Sequence, residues 1–234
     1  MKYKLITEKW KRWLKEQEYE DYFDQEEDAA SKYGTVNPFV DSSDYSKEEY
    51  DPQVFDDVPY NEVGFRTWPM PAAPKHIIIH ESTVASYRAT VDGLKKGGKG
   101  VHFIVAPDGG LEQLAPIEDY VIHTPRWNRR SIGIEFVHAG HLGNTIKAPW
   151  YWRSKYSIPP DVQLEGLYQL VKKLTVEMGI PMRIAHQKGE NFYFGPDIEI
   201  SEGVHSHRSA HGNHGDGVYQ CLYIVLRERG HSAK

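Results

Sequence analysis

The chain has 234 residues, 39% of them hydrophobic, and a formal net charge of -5 at pH 7. This length allows one packed domain with an extension. No apolar run reaches the roughly 18 residues of a membrane span. The single cysteine, Cys221, excludes an internal disulfide. The acidic excess lies in residues 1–62, with 8 Lys and Arg against 17 Asp and Glu, so the pattern predicts neither nucleic-acid binding nor membrane insertion.

Residues 1–62 are predicted to form an N-terminal helix and an acidic arm. Residues 5–19 place their apolar side chains on one side, with Thr7 as a candidate N-cap. Residues 20–58 are rich in Tyr, Asp and Ser without a periodic hydrophobic pattern, which is typical of a linker. The charged start lacks the apolar core of a secretory signal. We therefore expect cytoplasmic synthesis without a signal peptide.

Residues 63–234 are predicted to form one α/β domain with a central mixed sheet flanked by helices. A buried strand is predicted for the β-branched run KHIIIHES, and a helix for residues 83–97, ended by Gly97-Gly98. Two strands of a hairpin are predicted for VHFIVAP and LEQLAP, with a turn at residues 107–110. A further strand is predicted for SIGIEFVHAG.

Two more helices are predicted towards the C-terminus. The first is DVQLEGLYQLVKKLTVEMG, which Gly179 and Pro181 end. Its predicted core-facing residues are Val162, Leu167, Leu170, Val171, Leu174 and Met178. The second is GDGVYQCLYIVLRERG, with Val218, Leu222, Val225 and Leu226 predicted to pack inward.

Several residues have the chemistry of a hydrolytic metal site. His80 ends the isoleucine strand at the rim of the predicted sheet, and GVHSHRSAHGNHGDG supplies more histidines and Asp216 in a predicted glycine-rich loop. Imidazoles and a carboxylate, with one open position, are ligands of catalytic Zn²⁺, which lowers the pKa of its bound water to about 7. Glu135, between two apolar residues, is a candidate proton acceptor because desolvation would raise its pKa. A structural histidine, a solvated loop and a solvent-facing glutamate are the alternatives.

Four blocks, in order, resemble the type 2 N-acetylmuramoyl-L-alanine amidases. They are KHIIIHEST, GKGVHFIVAPDGGLEQLAP, VIHTPRWNRRSIGIEFV and GVHSHRSAHGNHGDGVY. The family includes phage lysozyme-amidases, bacterial muropeptide-recycling amidases and animal peptidoglycan recognition proteins. The resemblance implies a zinc-dependent hydrolase that cuts the amide bond between N-acetylmuramic acid and L-alanine in peptidoglycan or muropeptides.

The resemblance also implies roles for individual residues. The zinc ligands would be His80, His207 and Asp216. Glu135 stands at the position of the catalytic glutamate. His214 occupies a position commonly filled by lysine, where it would stabilise the oxyanion that develops on the amide carbonyl.

The substrate-binding residues implied by the resemblance are His123, which lines the cleft, and Asn128, which shapes its wall. Two departures from the family pattern affect the site. The proline usual after the aspartate ligand is absent, since Gly217 follows directly. The tyrosine that assists catalysis in some phage members is replaced by Val101, so this chain must rely on Glu135.

The second zinc ligand has rivals in the sequence. His207 is preferred because it lies nine positions before Asp216, which allows one compact loop to bring both to the metal. The rivals are His205, two residues before His207, and His186, which follows a segment that resembles a strand ending at a histidine. His211 is assigned to the loop surface.

Host-cell lysis of the phage endolysin type is the expected role, with the enzyme released to the cell wall after cytoplasmic synthesis. The alternatives are a non-catalytic peptidoglycan-binding protein, a virion-associated structural protein and a cytosolic muropeptide-recycling enzyme. The sequence shows no obvious cell-wall-binding repeat, so targeting is expected to come from the catalytic cleft, residues 182–202 or the N-terminal arm.

Overall fold

The computed structural model of the chain describes residues 58–147, 155–182, 202–207, 217–218 and 221–222. The predicted N-terminal helix and most of the acidic arm lie outside the described residues. So do the predicted zinc ligand Asp216, the predicted catalytic His214, the rival ligand His186 and the loop residue His211.

The described elements alternate between short strands and two helices. In chain order they are β1 (Trp68–Pro69), β2 (His76–Glu81), α1 (Tyr87–Lys96), β3 (Phe103–Val105), β4 (Leu111–Gln113), β5 (Asp119–Tyr120), a 3-10 turn (Asn128–Arg130), β6 (Ser131–Phe136), β7 (Thr145–Lys147), β8 (Lys155–Ser157), α2 (Asp161–Glu177) and β9 (Gly203–Ser206). Neither of these two helices is both long and apolar enough to cross a lipid bilayer.

A mixed sheet in the order β4-β3-β6-β2-β9 forms the centre of the described fold, which confirms the predicted α/β class. Strands β3, β6, β2 and β9 run parallel, and β4 pairs antiparallel with β3. Two small antiparallel pairs, β1 with β5 and β7 with β8, lie outside this sheet.

The two central strands are buried along their length. In β2, residues 77–79 are three isoleucines without exposed surface, and all six residues of β6 are buried. Such continuous apolar runs are typical of parallel strands that are covered on both faces. One face of the sheet packs against α2, and the other packs against α1 through a smaller cluster that includes Val91 and Ile104.

The predicted hairpin and both described helices are confirmed. Strands β3 and β4 pair across a turn in which the Asp108 carboxylate accepts a hydrogen bond from the Gly110 N–H at 2.9 Å. Helix α1 begins later than predicted because the Ser86 hydroxyl caps it, accepting from the Ala89 N–H at 3.3 Å. It ends at Gly97, as predicted.

The predicted inward position of Val162 is wrong. Its side chain is 55% exposed, whereas the other predicted core residues of α2 are buried or packed against the core. At 100° per residue, Val162 lies about 140° around the helix from Leu167. Gln163 takes the inward position instead, and its side-chain N–H donates to the Val137 carbonyl at 2.8 Å.

The sequence predicts a loop for the histidine-rich segment, residues 203–217, and this prediction is wrong for the start of the segment. Its first residues form β9, which pairs parallel with β2 and extends the sheet by one strand. Further along, Val218, Cys221 and Leu222 are helical and buried, in agreement with the predicted packing of Val218 and Leu222. Val225 and Leu226 lie outside the described residues.

The chain is already packed on the sheet before residue 63. Val58 belongs to the main core, and the backbone of Asn61 and Pro59 is hydrogen-bonded to Gln113 at 2.8 and 2.9 Å. The division into an arm of residues 1–62 and a catalytic domain of residues 63–234 stays a prediction.

Candidate active site

Three of the predicted site residues meet at the carboxyl edge of the central sheet. His80 is the fifth residue of β2, and Glu135 lies directly opposite it on β6. Ile79 pairs with Ser206, the last residue of β9, so His207 follows at the level of His80. Because these strands are parallel, residues distant in sequence reach the same edge of the sheet. All three side chains are buried.

His80 and His207 lie side by side, with ring centroids 4.5 Å apart and planes inclined by 50°. Each side chain is about nine-tenths buried, at 7% and 6% exposure. Within the described ranges, no group of three His, Cys, Asp or Glu side chains is arranged to hold a metal ion. The described part of the chain therefore shows His80 and His207 as a pair of adjacent buried imidazoles.

His205, the rival to His207, occupies a different place. It is buried in β9 opposite Ile78, and its ring lies 5.6 Å from that of His76, further back along the sheet. His205 does not line the cleft that contains His80 and His207.

The cleft lies between the edge of the sheet and α1 and has a volume of about 350 Å³. His80, His123, Glu135 and His207 line it from the sheet side. The opposite wall comes from α1 and the loop after it, including Thr90, Leu94 and Lys99. Val101, at the predicted position of the missing tyrosine, is also a buried lining residue. The cleft thus combines buried polar side chains on one wall with an exposed cation on the other.

His123 is hydrogen-bonded to His80. Its Nδ1 lies 2.9 Å from Nε2 of His80, and its Nε2 lies 3.1 Å from the Ser131 hydroxyl. The Thr124 hydroxyl approaches both histidines, at 3.1 Å from Nδ1 of His123 and 3.4 Å from Nε2 of His80. Burial, followed by the neighbouring His102 and His207, holds the pKa of His123 well below its ordinary value. The lowered pKa favours the neutral ring, in which one nitrogen donates and the other accepts.

Gly133 provides the space for His123. A Cβ atom at this position would lie 2.9 Å from both Cγ and Nδ1 of the His123 ring. Carbon atoms in ordinary contact are about 3.5–4.0 Å apart. The glycine between two isoleucines of β6 therefore allows the imidazole to lie directly on the strand.

Asn128 supports the site from behind. Its side-chain oxygen accepts hydrogen bonds from the backbone N–H groups of His123, at 2.9 Å, and Thr124, at 2.7 Å. These bonds fix the loop that carries His123. Asn128 does not line the cleft itself, and direct contact between its side chain and a substrate stays a prediction.

The sequence analysis missed the part played by His102, Thr124 and Ser131. His102 has no exposed surface; its Nδ1 accepts from the Gly133 N–H at 2.9 Å, so its Nε2 donates to the Asp119 carbonyl, also at 2.9 Å. Burial lowers the pKa of His102 to about 4, partly offset by the Asp119 carbonyl. These residues lie within the blocks VHF, VIHT and SIGIE. A polar residue inside an apolar block was the signal that could have revealed them.

One family of known proteins matches the sequence. The sequence profile described as N-acetylmuramoyl-L-alanine amidase matches residues 70–216. No sequence match was found among curated proteins.

Several solved structures are similar to this chain at low sequence identity. The N-acetylmuramoyl-L-alanine amidase LysC from Clostridium intestinale URNW is 14% identical, with 73% of this chain and 97% of LysC covered at a TM-score of 0.50. The catalytic domain of XlyA is 19% identical over 73% of this chain and 97% of that domain, with a TM-score of 0.46. A mutant endolysin from Bacillus subtilis is 18% identical over 73% and 96%, with a TM-score of 0.46.

The similarity to LysC shows that the two chains share a fold. Because the profile covers more than half of the chain, the chain belongs to the N-acetylmuramoyl-L-alanine amidase family.

Proposed function

We propose that this protein is a zinc-dependent hydrolase of the amide bond between the lactyl group of N-acetylmuramic acid and L-alanine in peptidoglycan. The observation that carries the proposal is the meeting of His80, Glu135 and His207 in one cleft at the carboxyl edge of the sheet. Membership of the amidase family supplies the reaction.

The described residues fit a zinc ion. Catalytic zinc takes three protein ligands and keeps one position open, and His80 and His207 present two buried imidazoles side by side. We assign Asp216 as the third ligand, since it matches the aspartate of the family pattern. His205 fits less well because its ring lies against His76 and outside the cleft. Bound there, Zn²⁺ would supply Lewis acidity towards the carbonyl and make the deprotonation of water accessible near neutral pH.

We assign the proton transfer to Glu135. Its side chain is buried, lines the cleft and lies opposite His80 in register. In the proposed reaction, the Glu135 carboxylate accepts a proton from the attacking water. As the C–N bond breaks, Glu135 returns that proton to the departing alanine nitrogen, so one water is consumed and a carboxylic acid and an amine are formed. Val101 has no group that could share this task.

Two further side chains are assigned auxiliary roles. His123 is hydrogen-bonded to His80 and lines the cleft, so it orients His80 and presents its ring to the substrate. His214 would stabilise the negative charge that develops on the amide oxygen.

Digestion of purified peptidoglycan tests the proposal. The zinc-loaded protein should release free N-terminal L-alanine from intact glycan strands, and a chelator should abolish that release until zinc is restored. Glu135→Gln should keep one zinc per chain but lose turnover by about 10²- to 10⁴-fold. New reducing sugar ends without free alanine would show a glycosidase and overturn the assignment.

Host-cell lysis is the setting that we propose for this activity, by an enzyme made in the cytoplasm and released to the wall. A rate comparison between intact peptidoglycan and soluble muropeptides tests the setting. Preference for intact wall agrees with lysis, whereas preference for soluble muropeptides would show a recycling enzyme. Binding to peptidoglycan without turnover by the zinc-loaded protein would show a binding protein.

A further inference from the structure

Glu81 is a second carboxylate beside the site, and the proposed reaction does not use it. It directly follows His80 in β2, so strand alternation directs its side chain to the opposite face of the sheet. There its Oε2 accepts hydrogen bonds from the Val218 backbone N–H at 3.0 Å and the Tyr156 hydroxyl at 3.2 Å. Glu81 thus joins β2 to β8 and to the start of the C-terminal helical segment.

Tyr156 holds the same segment by packing. Its ring is fully buried between Gly140 and Gly217, and a Cβ atom at either glycine would overlap the ring. The Cys221 thiol lies on the same segment and donates to the Gly217 carbonyl at 3.6 Å. The backbone at residues 217–218 is therefore held by a side-chain hydrogen bond and by an aromatic ring.

These contacts flank the assigned zinc ligands in sequence. Glu81 is one residue from His80, and Val218 is two residues from Asp216. Two peptide units span at most about 7 Å, so a zinc ligand at position 216 has to lie within that distance of the fixed backbone of Val218. The Asp216-Gly217 pair lacks the proline of the family pattern, and glycine adds backbone freedom that the fold must restrain.

We propose that Glu81, with Tyr156, is a positioning residue that fixes residues 217–218 so that Asp216 reaches the zinc ion held by His80 and His207. The inference rests on the proposed function, because it takes Asp216 as a zinc ligand.

Zinc affinity of the full chain tests the inference without reference to activity. Zinc-free protein is titrated with Zn²⁺ against a chromophoric chelator. Glu81→Ala should weaken zinc binding by about 10- to 100-fold, the range seen when groups that orient metal ligands are removed. Glu81→Gln should stay within about threefold of the parent, because its amide oxygen still accepts from the Val218 N–H.

The chain offers a matched control in a second tyrosine–glutamate pair. The Tyr87 hydroxyl donates to Glu112 at 2.5 Å on the surface of the hairpin and α1, away from Val218. Glu112→Ala should leave zinc affinity unchanged. Thermal unfolding of each zinc-free variant separates loss of folding from loss of positioning.

Unchanged zinc affinity in a folded Glu81→Ala protein would overturn the inference, even if its unfolding temperature fell. If Glu81→Ala does not fold, the zinc affinity of Glu81→Asp is measured instead. The aspartate is one methylene too short to keep the Val218 contact, so zinc affinity equal to the parent would also overturn the inference. Failure of the proposed function is distinguishable, because the parent protein itself would then bind no zinc or release no alanine.

Discussion

Replacing Gly133 with alanine should disrupt the site through a single methyl group. The added Cβ would lie 2.9 Å from Cγ and Nδ1 of His123 and 3.2 Å from Cδ2. Ordinary carbon contacts are about 3.5–4.0 Å, so the ring must move by roughly 0.5–1 Å. The ring is 6% exposed and bonded at both nitrogens, to His80 at 2.9 Å and Ser131 at 3.1 Å. It therefore cannot move without lengthening at least one of these bonds.

Two magnitudes follow from this overlap. Overpacking a tight core costs about 1–3 kcal/mol of unfolding free energy, and each kcal/mol lowers the melting temperature by about 2–4 °C in a chain of this size. Displacement of a positioning group by about 1 Å costs on the order of 10²-fold in rate. Urea unfolding and alanine release from peptidoglycan measure the two effects.

Gly93→Ala is the stability control for this experiment. A Cβ at Gly93 meets no atom within 4 Å, and the position lies inside α1. Alanine should therefore stabilise the protein there by up to about 1 kcal/mol. A Gly133→Ala protein as stable and as active as the parent would refute the packing of His123 on β6.

Three further predictions concern the buried polar groups. The pKa of His102 is about 4 in the folded protein, below its value in the unfolded chain. Between these two values the unfolded chain binds the extra proton, so lowering the pH favours unfolding. The contribution of His102 to stability is therefore intact above about pH 6.5 and is lost towards pH 4, at about 1.4 kcal/mol per pH unit. Urea titrations should show a shallower pH dependence for His102→Gln, and parallel slopes would contradict this. Asn128→Ala leaves two buried N–H groups without their acceptor and should cost about 1–3 kcal/mol in urea unfolding, whereas no measurable cost would reject the support assigned to it. His207→Ala should lose the bound zinc in elemental analysis while His205→Ala retains it, and the reverse result would exchange their roles.

Local sequence patterns predicted the elements that depend on local physical chemistry. The isoleucine run of β2, the Asp-Gly turn of the hairpin, and the glycines that end α1 and α2 are short-range signals, and the structure agrees with them. The misplacement of Val162 arose at the first turn of α2, where the hydrophobic stripe begins with Leu164.

Elements that depend on tertiary pairing were not predictable in the same way. Strand β9 has the sequence GVHS, which is short and polar, and it is a strand because it pairs with β2. The pairs β1–β5 and β7–β8 have two or three residues per strand, too few for a periodic pattern. Such segments acquire their conformation from their neighbours rather than from their own composition.

The same distinction between local patterns and tertiary contacts applies to the site. The family resemblance indicated His80, Glu135 and His207, and parallel pairing then brought them to one edge of the sheet. The supporting contacts of His102 and Asn128 depend on loops that fold back against β6, and no spacing in the sequence encodes such contacts.

The position of zinc tests the central claim most directly. A crystal of the zinc-loaded protein, measured on both sides of the zinc absorption edge, should give one anomalous peak in the cleft, bonded to His80, His207 and Asp216 and within reach of Glu135. A peak bonded to His205 or His186 instead, or the absence of a peak from the cleft of an active enzyme, would contradict the account.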